Sequence, residues 1–188
     1  MNTVNRLMRL MTFGAVLTLF CSFPQQLVAE KAGRMPTIAK PIVEGDTINN
    51  PELVREKSDG SILLTAENGN GIGPDIKYMP EWKAFGWFTA ADRVEWDVNV
   101  KRAGEFEAYL SWSVSDEEAG KPFILEVGDQ RITGDAGKTG SWETFRTEKI
   151  GRIMLAKGKQ RVVFRPGSVF GEGGALLDLR KIKLVRVK

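Results

Sequence analysis

Histidine is absent from this chain of 188 residues, and cysteine occurs once, at Cys21. That cysteine sits in a leader, so the chain left after export holds neither residue type. Disulfides, thiol nucleophiles, Cys/His zinc sites and imidazole general bases are thereby excluded. Any catalytic site would have to be assembled from carboxylates, Lys, Ser or Tyr. A surplus of charge is missing as well. The formal net charge is +3, and two of the positive charges, Arg6 and Arg9, belong to the leader. The remainder is close to neutral and sets up no field that would gather nucleic acid.

The leader itself is a positive start followed by an apolar stretch from Thr12 to Phe23, too short to cross a bilayer, and then Leu27-Val28-Ala29. This is the pattern of a cleaved secretory signal over residues 1–29. Leu19-Phe20 precede Cys21 where a lipoprotein signal needs a small residue. The expectation is a periplasmic or extracellular protein with no membrane insertion after signal cleavage. Residues 30–60 mix charges with Pro36, Pro41, Gly45, Pro51 and Gly60 and keep no period. They read as a flexible lead-in, with a helical turn or two over residues 51–57. Residues 61–188 then form one domain.

Within that domain the repeating signal is strict alternation. Val94, Trp96, Val98 and Val100 alternate with Arg93, Glu95, Asp97 and Asn99. After Ala103-Gly104, the apolar set Phe106, Ala108, Leu110, Trp112 and Val114 does the same. A period of two marks half-buried antiparallel strands and places Trp96 and Trp112 in a core. Further strands are expected in SILLTAE, PFILEV, QRIT, the run ending in GRIML, QRVVFRP and ALLDLRKIKLVRV, with NGNGIGPDIKYM as a loop. Gly128-Asp129 suits a tight hairpin. Some eight short strands with frequent turn signals predict an all-β fold, a two-sheet antiparallel jelly-roll sandwich. The basic residues Arg180, Lys181, Lys183, Arg186 and Lys188 read as a solvated strand face that blunts an edge. Trp87 and Trp142 lie in Gly-flanked loops that no core pattern explains; Trp82, in P-E-W-K, is a weaker candidate of the same kind.

The order of motifs resembles a known family. T-A-E at Glu67, G-W-F-x-x-x-D-x-V-E-W-x-V-x-V from Gly86, A-G-x-F, E-V-G-D-Q, G-S-W-x-x-F from Gly140 and a final L-D-L-x-x-I-x-L around Asp178 are similar to the galactose-binding-like β-sandwich. Within it, family-six and family-thirty-five carbohydrate-binding modules are most similar, as are modules appended to secreted bacterial sulfatases and fucosidases. The likeness runs from about Ile62 to Val187. It implies a structural calcium ion held by Glu67 and Asp178. It also implies a sugar ring clamped by two loop aromatics, Trp87 or Phe88 and Trp142. Asp92, Glu143 or Arg146 would orient the sugar. Aromatic faces suit pyranoses because axial C–H groups meet a negative π face. The family's Asn before the last-strand aspartate is missing; Gly173-Gly174-Ala175 stands there instead.

Three function classes follow. The first is a non-catalytic module for a polysaccharide or glycoconjugate, working beside an exported hydrolase or sulfatase. The second is a cell-envelope structural or protein-interaction domain whose sugar site has been lost, with Trp87 and Trp142 plugging the sandwich end. The third, a carboxylate glycosidase, has only the exposed Asp116, Glu117 and Glu118 to recommend it.

Overall fold

The computed structural model describes residues 50–86, 88–171 and 174–188. The expected signal and residues 30–49 of the lead-in lie outside the described residues, as does Trp87. Two sheets face one another. The first runs β1 (Val54–Arg55), β6 (Arg93–Val100), β11 (Gly158–Pro166), β8 (Pro122–Val127) and β9 (Gln130–Asp135), with β3 (Asn70–Ile72) also on β6. The second runs β10 (Arg146–Leu155), β7 (Gly104–Ser113), β12 (Asp178–Arg186), β5 (Ala84–Gly86) and β4 (Lys77–Met79), with β2 (Ile62–Thr65) also on β12. Among the described residues only β1 pairs in parallel; the other pairings are antiparallel. The expected antiparallel sandwich is the observed one, and no helix occurs among the described residues.

The core is the sum of the alternating positions. Val94, Trp96, Val98, Leu125, Val162 and Phe164 point inward from the first sheet. They meet Ile62, Leu64, Phe106, Leu110, Trp112, Ile182 and Leu184 from the second. Burying side chains of this size contributes about 1.5–3 kcal/mol each, which is what drives two such sheets together. The two indole N–H groups are satisfied inside: Trp96 Nε1 donates to the Thr65 carbonyl at 2.8 Å and Trp112 Nε1 to that of Gly137 at 2.9 Å. The Gly128-Asp129 hairpin forms as expected, Val127 facing Gln130 with Gly128 at a φ of 59°.

Several local expectations are corrected. β6 and β7 follow one another in sequence but lie in opposite sheets, so Ala103-Gly104 arches between layers and closes no hairpin. Alternation cannot tell these cases apart, because it records which face is buried and not which strand is the neighbour. β12 is no edge strand: β7 pairs along one side and β2 and β5 along the other. The domain also starts before residue 61. No helix forms over residues 51–57: Val54 and Arg55 pair with Val98 and Asn99, Val54 is buried, and Glu56 is buried against Arg186. The stretch NGNGIGPDIKYM holds two short strands, β3 and β4, besides its turns.

Candidate functional site

Four connections meet beside the start of β12 and leave a cleft of about 560 Å³ between them. One wall is the β4–β5 turn, Pro80-Glu81-Trp82-Lys83. Pro80 presets the backbone for a turn, which closes through Trp82 N–H to the Met79 carbonyl and Lys83 N–H to that of Pro80, both 3.2 Å. This turn presents Met79 and Trp82 to the cleft.

The opposite wall is the segment before β10, which carries Trp142 and Glu143 into the cleft. Its period-free sequence is held by hydrogen bonds to the end of β7. Ser113 Oγ donates to the Trp142 carbonyl at 2.6 Å, and Thr139 Oγ1 both accepts from Val114 N–H and donates to the Val114 carbonyl, each at 2.8 Å. This cover explains why Ser111 and Ser113, on the polar phase of β7, are buried.

Ser115, Glu117 and Glu118 from the β7–β8 connection, with Ala175 and Asp178 at the entry to β12, complete the lining. Glu118 is committed locally: its carboxylate takes the Lys121 ammonium and, at 3.3 Å, the Ala175 N–H. The Lys121 bond foremost holds its pKa below the usual value. Asp178 is different. Its Oδ1 and the Met79 methyl lie where a Cβ on Gly86 would have to go, 2.8 and 2.5 Å away. Only glycine therefore leaves this corner open. Burial pushes the Asp178 carboxyl from 3.8 up to about 7. No Lys or Arg is among the lining side chains.

The residues expected from sequence divide sharply. Trp142 and Glu143 line the cleft. Trp87 lies outside the described residues. Phe88 is a core residue, 0% exposed and edge-on to Phe164 at 5.9 Å. It is thus withdrawn as a sugar contact. Asp92 is withdrawn too: it is 2% exposed, and its carboxylate takes Thr89 N–H at 2.7 Å, Thr89 Oγ1 at 2.8 Å and Asp75 N–H at 3.3 Å. Its work is to clamp two loops together. Arg146 stays on the outer side of the Trp142 segment, donating to the Lys138 carbonyl at 2.9 Å and pairing with Glu148. Trp82, the weaker candidate, also lines the cleft, while sequence reasoning left out Met79 and Ser115 and cast Glu117, Glu118, Ala175 and Asp178 differently. P-E-W-K, a turn carrying an indole with no core phase, was the available signal.

The resemblance implies a calcium ion held by Glu67 and Asp178. Calcium takes about six to eight oxygens, several of them from carboxylates. Glu67 lies 3.6 Å from the Lys83 ammonium, and Asp178 faces the cleft beside Met79. Among the described residues no group of three or more acidic side chains gathers into a cage. By themselves the two carboxylates fall short of a calcium shell.

Solved structures share this arrangement of strands. A family 35 carbohydrate-binding module from Clostridium thermocellum superposes with a TM-score of 0.56 at 14% identity, covering 68% of this chain and 98% of the module. The fold is galactose-binding-like. A second similar structure is the C-terminal family 6 carbohydrate-binding module of a marine laminarinase from Zobellia galactanivorans, with a TM-score of 0.55, 13% identity and coverage of 67% and 99%. An exo-β-1,3-galactanase from Phanerochaete chrysosporium, solved with galactose, matches at a TM-score of 0.52 and 20% identity; 66% of this chain corresponds to 29% of that enzyme. At such identities the likeness is one of fold. No protein-family model and no curated protein matches the sequence.

Proposed function

We propose that this chain is an exported, non-catalytic carbohydrate-binding module that holds a neutral glycan between Trp82 and Trp142. The observation that carries this reading is the convergence of two indoles, from segments far apart in sequence, on one cleft in a fold built for loop-borne sites. Small-ligand sites combine an apolar, aromatic lining with a few polar groups that fix orientation. Here Ser115, Glu117, Glu143 and Asp178 supply acceptors for sugar hydroxyls. Glu117, Glu143 and Asp178 face the cleft, whereas the nearby cations, Lys121 on Glu118 and Arg180 between Trp82 and Phe145, are engaged by protein groups, so the ligand class is uncharged. The neighbours named for laminarinase and galactanase point the same way.

The test is a glycan array and affinity electrophoresis with the wild type and Trp142→Ala. Retardation by a neutral polysaccharide that Trp142→Ala abolishes is the expected result. Equal retardation of both proteins would remove the cleft from the account. A blank array with co-purification of an envelope protein would favour the protein-interaction alternative.

A further inference from the structure

We infer that Arg180 positions the two tryptophan-bearing walls against one another and so sets the gap into which a sugar ring must fit. The inference rests on the glycan reading of the cleft for its consequence, though not for its geometry. Arg180 is the extra residue of a bulge in β12: Leu179 faces Trp112 and Lys181 faces Ser111, leaving Arg180 unmatched. A bulge of this kind re-aims a side chain beside a site while the strand stays paired.

The re-aimed guanidinium touches both walls. Its Nε donates to the Trp82 carbonyl at 3.2 Å, and its Cζ lies 3.3 Å from the centre of the Phe145 ring. Phe145 follows Trp142 by three positions and immediately precedes β10. One planar group therefore hydrogen-bonds to the first wall and lies over a ring in the segment that carries the second. Lysine cannot do both, since a point ammonium has neither fork nor face.

The energetics argue for a role beyond stability. Arg180 forms no ion pair among the described residues, while Arg93, Arg146, Arg152, Arg161, Arg165 and Arg186 each meet a carboxylate. A half-buried cation without a counter-charge carries a desolvation cost that a hydrogen bond and a π face only partly offset. The Trp142 wall is already held by Ser113 and Thr139. The Trp82 turn sits between β5 and β4, the last strand on that side of the sheet. Arg180 is what links that turn to the better-held wall.

The experiment uses the full chain with Cys21→Ser and spin labels on Glu81→Cys and Thr144→Cys, one in each wall. Pulsed dipolar spectroscopy should give one narrow distance distribution in the parent. Arg180→Ala and Arg180→Lys should both broaden or shift it, whereas Arg161→Ala, on the other sheet, should not. Affinity for a neutral β-1,3-linked trisaccharide should fall at least tenfold with either Arg180 variant, and Arg180→Lys should not rescue it. An unchanged distribution in Arg180→Ala overturns the inference. A broadened distribution in a protein whose parent binds no glycan supports the positioning role and overturns the glycan reading instead.

Discussion

Ser113 Oγ donates to the Trp142 carbonyl at 2.6 Å, so a buried strand residue holds the backbone of an aromatic that faces a cleft. The hydroxyl belongs to the polar phase of β7 and would face water if the strand stood alone. The segment before β10 folds over it, and the bond fixes where the indole starts. Trp142 thereby owes its position to β7, and Trp82 owes its own to a turn and to Arg180.

The first prediction separates cleft aromatics from core aromatics. Trp82→Ala should weaken glycan binding at least tenfold, about 1.4 kcal/mol, with the melting temperature little changed. Phe88→Ala should instead cost about 3–5 kcal/mol of stability, because it empties a filled core site. Titration calorimetry and urea unfolding on the two variants read the contrast. Equal stability losses would mean that Trp82 is packed and not presented.

The second concerns pH. The Asp178 carboxyl, at about 7 in the folded chain, lies above its ordinary 3.8 because of burial. The folded state then binds a proton that the unfolded chain releases. The contribution is present below the unfolded value and is lost as pH climbs through the folded one, so stability declines from about pH 4 to pH 7. Asp178→Asn should flatten that slope, melting above the wild type at about pH 8 and level with it at about pH 4. Parallel curves for the two proteins would contradict the burial assigned to this group.

A third prediction tests the tie between the chain's first described segment and its last strand. Arg186 Nη2 reaches both carboxylate oxygens of Glu56, at 3.2 and 3.3 Å, and the Glu56 residue is 6% exposed. Burial raises the Glu56 pKa, but the Lys101 N–H and the Arg186 guanidinium together outweigh it and bring it below 4.5. This contribution is therefore lost as pH falls through the folded value. Glu56→Ala leaves the guanidinium largely buried without its counter-charge, held only by the Arg102 and Ala103 carbonyls and the Phe106 ring, a loss of about 3–5 kcal/mol. Replacing both residues by apolar ones should cost less than the single change. Chemical denaturation of the three variants decides it, and additive losses would deny the coupling.

The fourth concerns calcium. With Glu67 beside Lys83, a chelator should leave the melting temperature where it is. A rise of several degrees on adding millimolar calcium, abolished by Glu67→Gln, would restore the ion that the resemblance implies.

What the sequence determined by itself was the class of fold and much of its interior. Alternation at Val94–Val100 and Phe106–Val114 reports burial directly, because successive strand side chains point to opposite faces. It accordingly placed Trp96 and Trp112 inside, and the hairpin at Gly128-Asp129 needed only local backbone geometry. Trp142 stood out because it had no core phase to belong to. Tertiary structure alone decided the rest. Phe88 and Asp92 stand in a loop-like stretch, and only the closing of loops around them shows that one fills the core and the other clamps backbone. Trp82 and Trp142 share a cleft through strand neighbours that alternation does not name. Asp178 has its unusual carboxyl because Met79 and the bare Gly86 lie beside it, a burial no single strand could reveal.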